Sequence, residues 1–280
     1  MLEDVNVVVS SCDSFAACWP PLMHGFDRYW PDGPKAIRLI VNSKSFEHPR
    51  ANLFATGKDH GWARNLRMAL AATTQPFVLY MQEDYWIDRI VDTDLIDSYV
   101  DHFREGRLDY LRLVPVPPGT EECGFDDRIR LLSPQARYRT SLQSALWRKS
   151  VLLDLLRDDE SPWDFELVGN DRSRKHGARF GCVGGTSLRT VALGNLSYVC
   201  TAINKGRWST DAVRYAARQG LEIDYGSRGR ETWLDDFKRQ SVFGRMYDFV
   251  ERVFRKPHRV WERCKALIAS SACMRRKQDQ

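Results

Sequence analysis

Short apolar runs alternate with longer amphipathic stretches along the first 115 residues of the chain. The runs are rich in Val, Ile and Leu, and they predict buried strands at residues 5–9, 36–41, 77–81 and 109–114. Apolar residues at helical spacing predict helices at residues 20–29, 61–73 and 93–104. Because strands and helices alternate, we expect an α/β fold with a mostly parallel sheet flanked by helices.

The pattern becomes less regular after residue 114. Apolar stretches there predict two strands and one short helix, at residues 128–132, 141–147 and 149–157. Residues 158–182 are polar and poorly periodic. Because functional side chains concentrate on loops, this stretch is predicted to be a functional loop region.

Basic residues are concentrated in the C-terminal part. Residues 227–280 contain fourteen Lys and Arg against seven Asp and Glu, so they carry +7 while the rest carries −2. Helical periodicity returns there in two stretches, separated by Pro257, whose apolar faces are flanked by arginines. We therefore expect a domain at residues 1–225 and a basic amphipathic helical extension at residues 226–280. The extension suits either an anionic membrane surface or packing against the domain with its charges in water.

Charge and cysteine content exclude several classes of protein. The near-neutral main part argues against nucleic-acid binding, which needs a broadly basic surface. The seven cysteines form no CxxC pair, so neither a zinc site nor a disulfide framework is indicated. With no secretory signal and no apolar run of membrane-spanning length, a cytoplasmic protein is expected. It would be peripheral at the inner face of the membrane if the extension binds lipid.

Polar side chains follow three of the predicted strands, namely Ser11 and Asp13, then Asn42, then Glu83 and Asp84. Open α/β sheets bind ligands at this edge. The chain has neither a GxGxxG loop nor a Walker A lysine loop, so a nucleotide would be held without a phosphate loop. Its diphosphate would then need a divalent cation, and Mg²⁺ or Mn²⁺ prefers carboxylate ligands such as Glu83 and Asp84. The alternative is that this acidic pair merely caps the next turn.

The segment GWARNLRMALAATTQPFVLYMQEDYWI resembles the signature of GT-A-fold glycosyltransferases, especially the inverting family-two-like group of bacterial polysaccharide synthesis. In that group a Gly-x-x-Arg-Asn helix start, here Gly61 with Arg64 and Asn65, leads into a strand and an acidic DxD-type motif. The resemblance covers roughly residues 5–210, and it implies a Rossmann-like GT-A fold. Gln82 stands at the first acidic position of the motif, so a cation would depend on Asp84, helped by Glu83.

The resemblance also implies a nucleotide-sugar site along the first strands. Its residues would be Ser11, Asp13, Asn42, Asp59, Arg64, Asn65 and Glu83. Two of these have ordinary structural alternatives, because Asp13 is equally suited to be a helix N-cap and Arg64 to be a solvated helix residue.

The stretch SPWDFELVGNDRSR, residues 161–174, resembles the acceptor loop of such enzymes, whose acid is the general base. Trp163 would stack on an acceptor sugar. Glu166 is the first candidate for the base and Asp164 the second, and in an extended segment two carboxylates at this spacing point the same way. The alternative is a surface loop that Trp163 and Phe165 anchor.

The stretch NKGRW, residues 204–208, supplies Lys205 and Arg207, which would close over the donor diphosphate. A solvated basic loop is the alternative.

Together these features predict an enzyme that transfers a sugar from a nucleoside-diphosphate sugar to a glycan or lipid-linked acceptor. A sugar nucleotidyltransferase is an alternative, although the first loop lacks the glycines and basic residues that hold a triphosphate. A non-catalytic GT-A-like domain that binds nucleotide or glycan is another, because Gln82 departs from the metal motif.

Overall fold

The computed structural model describes residues 2–115, 117–184, 196–199, 201–232 and 235. The strands of this part are β1 (Val5–Ser10), β2 (Ile37–Val41), β3 (Ala51–Ala55), β4 (Phe77–Gln82), β5 (Trp86–Ile87), β6 (Tyr110–Arg112), β7 (Glu121–Glu122), β8 (Ile129–Leu131), β9 (Ala145–Arg148), β10 (Phe180–Val183), β11 (Tyr198–Val199), β12 (Ile203–Asn204) and β13 (Arg207–Trp208). The α-helices are α1 (Trp19–Tyr29), α2 (Trp62–Ala71), α3 (Thr93–Arg104), α4 (Lys149–Leu155), α5 (Pro162–Asp164), α6 (Asn170–Lys175) and α7 (Thr210–Gln219). A 3₁₀ turn spans Asp13–Cys18, and a π-helical turn spans Phe165–Gly169.

One sheet dominates the described part of the chain. Its strand order is β3-β2-β1-β4-β9-β6-β10-β8-β7. Strands β1 to β4 are parallel, as are β6 and β10, whereas β9 runs antiparallel between β4 and β6. The predicted α/β fold with a mostly parallel sheet flanked by helices is therefore confirmed.

The two faces of the sheet bury separate apolar cores. Successive residues of a strand point to opposite faces, so Val7 and Val9 of β1 join one core and Val8 joins the other. Helices α1, α3 and α7 pack on the first face, and α2 and α4 pack on the second. The continuous apolar runs of β1 and β4 follow from this double coverage.

Local sequence signals set the ends of the flanking helices. Pro20 and Pro21 lie in the first turn of α1, where a missing N–H costs nothing. Asp92 caps α3 by accepting a hydrogen bond from the backbone N–H of Leu95. Gly220 ends α7 in the left-handed conformation that glycine favours. These capped ends explain why α1 and α3 match their predicted bounds.

Several features differ from the prediction, and α7 and the short strands β5 and β7 are among the elements that were not predicted. Strand β3 was not predicted, because it is a half-exposed edge strand with a mixed pattern. The predicted strand at 141–147 is limited to β9. The predicted loop at 158–182 was wrong, since α5, the π-helical turn and α6 follow one another there and β10 ends the stretch. A chain of short helical pieces has too few turns to show a clear period.

The predicted extension at 226–280 lies largely outside the described residues, and its division from the domain stays a prediction. The first residues beyond 225 are hydrogen-bonded to β13, since the backbone N–H of Trp208 donates to Gly229 and that of Glu231 donates to Trp208. None of the described helices has both the length and the hydropathy that crossing a bilayer requires.

Candidate active site

A cavity of about 540 Å³ opens at the carboxyl ends of β1 and β4. This is the edge where parallel sheets place their ligand sites. Most of the predicted site residues line it, namely Ser11, Asp59, Asn65, Glu83, Asp84, Trp163, Glu166 and Lys205. The others, which do not line it, are Asp13, Asn42, Arg64, Asp164 and Arg207.

The acidic pair at the end of β4 lies buried in this cavity, with Glu83 only 8% and Asp84 only 5% exposed. Oδ2 of Asp84 accepts hydrogen bonds from Oγ1 of Thr201 at 2.9 Å and from the backbone N–H of Ile203 at 3.4 Å. Oδ1 of Asp84 is buried and has no hydrogen-bond partner in the described part. The contacts of Asp84 thus go to a distant segment, which does not support the alternative that it caps the next turn.

Burial makes ionisation of both carboxyl groups unfavourable. Burial and the nearby charge of Asp84 raise the pKa of Glu83 to about 8, and burial raises the pKa of Asp84 although Thr201 and Ile203 oppose the rise. Two adjacent buried acids with an unpaired oxygen are costly unless a positive partner neutralises them. A bound cation would favour the ionised forms of both groups, whereas without one burial favours their protonated forms.

The donor set fits a hard divalent cation. Mg²⁺ and Mn²⁺ are commonly held by one or two carboxylates, with phosphate oxygens and water completing the shell. Glu83 and the bare Oδ1 of Asp84 offer that number of ligands. No cluster of three or more His, Cys, Asp or Glu side chains suited to a metal exists among the described residues. The rest of the shell would thus come from phosphate and water.

The Gly-x-x-Arg-Asn start of α2 shapes one wall of the cavity. Gly61 has a φ of +90°, which favours glycine, and its N–H donates to Oδ1 of Asp59 at 2.9 Å. The same Oδ1 accepts from Nδ2 of the buried Asn65 at 2.8 Å, and Asn65 in turn accepts from the backbone N–H of His60. Asp59 and Asn65 therefore fix the loop before α2, whereas the Arg64 side chain is exposed to solvent.

Asp13 and Asn42 join the ends of β1 and β2. The Asp13 carboxylate accepts from the backbone N–H groups of Asn42, Ser43 and Lys44 at 2.8 to 3.0 Å, and from the Ser43 hydroxyl at 2.8 Å. Its own N–H donates to Oδ1 of Asn42 at 3.1 Å. Desolvation raises the pKa of Asp13, but these hydrogen bonds outweigh it and lower the pKa below its ordinary value. The N-cap of the following turn is Cys12, so the N-cap alternative for Asp13 was wrong.

Glu166 lies in the π-helical turn and lines the cavity. Its Oε1 accepts from the backbone N–H of Leu142 at 2.8 Å and from Oγ of Ser141 at 3.2 Å. Oε2 has no hydrogen-bond partner among the described residues. One oxygen is thus anchored and the other is available to a ligand.

Asp164 has a different role, because the stretch is helical and not extended as predicted. Ser161 and Asp164 form a capping box, in which Oδ2 of Asp164 accepts from Oγ of Ser161 at 2.6 Å. This hydrogen bond lowers the pKa of Asp164. Residues two apart on a helix face different directions, so Asp164 and Glu166 do not form the expected pair. Trp163, 73% exposed, lies at the rim of the cavity.

Lys205 and Gly206 form the two-residue turn of the β12–β13 hairpin, with φ angles of +49° and +83°. Positive φ at both positions is typical of the tight turns that match strand twist. The turn brings Lys205 to the cavity. Arg207, by contrast, is not among the lining residues, and its Nη1 lies 3.3 Å from Oδ2 of Asp235.

Thr201 lines the cavity and Arg228 lies beside it, and neither was predicted. Thr201 holds Asp84, and nothing in its local sequence indicates a contact 117 positions away. Arg228 donates a hydrogen bond to the carbonyl of Ser14, and its guanidinium lies 4.5 Å from the ring centroid of Phe15, a lining residue. Its positive charge partly opposes the rise in the pKa of Glu83. From the sequence, Arg228 was placed in the basic extension predicted at residues 226–280.

The chain has distant similarity to several proteins of known structure. It is similar to a mannosyltransferase from Pyrobaculum calidifontis solved with GDP-Man and Mn²⁺, at 12% identity and a TM-score of 0.46, over 96% of this chain and 86% of that one. It is similar to residues 1–349 of TarS from S. aureus, at 12% identity and a TM-score of 0.44, over 64% of this chain and 60% of that one. The chain is also similar to a cytidylyltransferase from Leptospira borgpetersenii, at 10% identity and a TM-score of 0.38, over 61% of this chain and 73% of that one.

No family model and no curated protein matches the chain. The chain spans about three fifths of the TarS fragment.

Proposed function

We propose that this chain is a glycosyltransferase, which moves a sugar from a nucleoside-diphosphate sugar to a hydroxyl group of a glycan or lipid-linked acceptor. One observation carries the proposal: a single cavity is lined both by the buried pair Glu83 and Asp84 and by Glu166, whose Oε2 is available. The pair suits a cation with a diphosphate, and Glu166 suits proton transfer. The volume of about 540 Å³ lies in the usual range for ligand pockets.

The donor would lie across the carboxyl ends of β1 and β4. The loop that Asp59 and Asn65 fix, together with Ser11, would frame the nucleoside. Lys205 and Arg228 bring positive charge to the same end of the sheet, where the diphosphate would lie. These residues bind and orient the donor, and they favour negative charge on the departing diphosphate.

Glu83 and Asp84 would hold a Mg²⁺ or Mn²⁺ ion. When bound, the ion supplies positive charge that neutralises the diphosphate. The chain's own contribution is to keep Oδ1 of Asp84 free of other partners and to shield the pair from water.

Glu166 would act as the general base. Oε1 is held by Leu142 and Ser141, so Oε2 takes the proton from the acceptor hydroxyl. The acceptor oxygen then forms its bond to the anomeric carbon while the bond from that carbon to the diphosphate breaks. The nucleoside diphosphate leaves with the electron pair, and a single displacement of this kind inverts the anomeric centre. Trp163 at the rim would hold the acceptor by stacking on its apolar face.

The test is a panel of nucleotide sugars, each incubated with Mn²⁺ or EDTA and with candidate acceptors. Release of nucleoside diphosphate is measured, and NMR of the product gives the anomeric configuration. The proposal expects acceptor-dependent release with one donor, an inverted product, and loss of turnover in Glu166→Gln with donor binding kept. Retention of configuration would overturn the single displacement.

The same panel separates the alternatives. A sugar nucleotidyltransferase would release pyrophosphate from a nucleoside triphosphate and a sugar phosphate. A binding domain would be stabilised against heat by nucleotide or glycan but would release nothing. Either result would overturn the glycosyltransferase proposal.

We place the reaction in the cytoplasm, at the inner face of the membrane, because residues 226–280 are basic and amphipathic in sequence. Co-sedimentation with vesicles tests this. Binding to vesicles with anionic lipid but not to neutral vesicles, lost at high salt, is expected, and equal binding to both would contradict it.

A further inference from the structure

Thr201 makes the shorter of the two hydrogen bonds to the Asp84 carboxylate, and the proposed mechanism leaves it without a role. Its Oγ1 donates to Oδ2 of Asp84 at 2.9 Å. The next two residues reinforce the contact, because the backbone N–H of Ala202 donates to the carbonyl of Asp84 at 3.0 Å and that of Ile203 donates to Oδ2 at 3.4 Å. Three consecutive residues of one segment thus hold a single aspartate.

The backbone of Thr201 is strained. Its φ is +63°, a region that β-branched residues rarely enter because Cβ meets the backbone. Such strain persists only where surrounding contacts compensate for it, and it is concentrated at functional sites. The hydroxyl contact with a buried carboxylate is a compensation of that kind.

The contacts treat the two oxygens of Asp84 differently. Oδ2 has two donors, whereas Oδ1 is buried with none in the described part of the chain. The carboxylate therefore cannot rotate without breaking the Thr201 contact, and the oxygen that remains bare is always the same one. Because the Asp84 carboxylate is already held in one orientation, it loses less conformational entropy when a cation binds.

We propose that Thr201 is a positioning residue for the cation site: it fixes the Asp84 carboxylate through Oδ2 so that Oδ1 is presented to the divalent cation. The inference rests on the proposed function, since it takes Asp84 as the ligand. Hydrogen-bond partners of ligating carboxylates commonly set metal affinity in this way. Because Lys205 follows on the same segment, the contact also ties the cation site to the hairpin that reaches the cavity.

The test measures the affinity of the whole chain for Mn²⁺, in the absence of nucleotide sugar and of acceptor sugar. The EPR signal of free Mn²⁺ gives the bound fraction. Thr201→Val keeps the shape and the β-branched backbone but removes the hydroxyl, and it should weaken Mn²⁺ binding by about 10- to 100-fold. Thr201→Ser restores the hydroxyl and should bind within about threefold of the unaltered chain. Thr74→Val is the matched control, because Thr74 is an exposed threonine before the other end of β4, and it should change nothing.

A second comparison separates positioning from general loosening. In an Asp84→Asn background, adding Thr201→Val should cause no further loss of Mn²⁺ affinity, since the ligand that it positions is already changed. Circular dichroism and thermal denaturation check that each variant is folded. If Thr201→Val does not fold, Thr201→Ala replaces it in the comparison with Thr201→Ser. The Ala variant should then lose Mn²⁺ affinity and the Ser variant should keep it.

The outcomes distinguish this inference from the proposed function. Unchanged Mn²⁺ affinity in a folded Thr201→Val protein, with only a lower Tm, overturns the positioning role and leaves the cation site intact. Absence of Mn²⁺ binding in the unaltered chain, both alone and with a nucleoside diphosphate added, overturns the proposed cation site itself. Equal loss in the Ser and Val variants also overturns the inference, because the hydroxyl would then be irrelevant.

Discussion

Asp13 and Asp84 follow adjacent parallel strands, and both were predicted to serve the nucleotide site, yet their surroundings differ completely. Asp13 accepts four hydrogen bonds from the end of β2, and its pKa is lowered. Asp84 is buried beside another acid with one oxygen unpartnered, and its pKa is raised. The first carboxylate is fully used by the fold. The carboxylate of Asp84 keeps one buried oxygen without a hydrogen-bond partner in the described part of the chain. Such an oxygen indicates a binding site better than a position at the end of a strand does.

A large effect is expected from Asp84→Asn, which removes the charge that the proposed cation would need. We expect kcat/KM to fall by roughly 10²- to 10³-fold, as when one electrostatic contact to a developing charge is lost. The free energy of unfolding without cation should stay equal or rise, because an unfavourable buried charge disappears. Turnover and urea denaturation measure the two quantities. Asp127→Asn, an exposed acid, is the control, and a strong loss of stability in Asp84→Asn would place it in the same class as Asp13.

Glu166→Gln should lower kcat by about 10²- to 10⁴-fold with donor affinity little changed, since a general base acts in the chemical step. Its neighbour Asp164 provides the contrast. Asp164→Asn weakens the capping box with Ser161 and should lower stability only slightly, with kcat nearly unchanged. Rapid-mixing kinetics and chemical denaturation separate the two. If Asp164→Asn abolishes turnover while Glu166→Gln does not, the assignment of the base is reversed.

Asp13→Asn tests the other side of the comparison. Losing a charged acceptor of several backbone N–H groups should lower the free energy of unfolding by about 1–3 kcal/mol. Mn²⁺ affinity should remain that of the unaltered chain, because Asp13 does not line the cavity. The urea midpoint and the EPR titration give the two values. A stable protein that has lost Mn²⁺ binding would make Asp13 a member of the site.

The last effect expected is on the pH dependence of stability in EDTA, where Glu83 and Asp13 act with opposite sign. The folded pKa of Glu83 is about 8 against an ordinary 4.5, so between these values the folded state holds a proton that the unfolded state has lost. Stability should therefore fall as pH rises from about 4.5 to about 8. The lowered pKa of Asp13 adds stability above its ordinary pKa of 3.8, and this is lost as pH falls below it.

Urea midpoints across this range in Glu83→Gln and Asp13→Asn check the two signs. The Glu83→Gln protein should lose the decline towards pH 8, and the Asp13→Asn protein should lose part of the decline below pH 4. An unchanged decline towards pH 8 in Glu83→Gln would assign it to other groups.

Much of the fold followed from the sequence because apolar runs and helix caps act locally. The strands around Val7 and Leu79 were predicted, as was the placement of Glu83 and Asp84 at a strand exit. The roles of Asp13 and Asp164 could not be predicted. The sequence does not show whether an aspartate will accept hydrogen bonds from the protein's own groups or will bind a ligand. Thr201 reaches Asp84 only through the folded chain, so no local pattern could indicate it.

The position of β9 has a consequence for how the chain is made. Strand β9 pairs with β4 on one side and β6 on the other, although both of these precede it in sequence. While residues 145–148 are still inside the ribosome, β4 and β6 each present an unpaired edge, and such edges invite pairing with other chains. A fragment that ends before β9 is therefore expected to aggregate, and one that includes β9 to be more soluble. The strand that joins β4 to β6 thus also protects the nascent polypeptide.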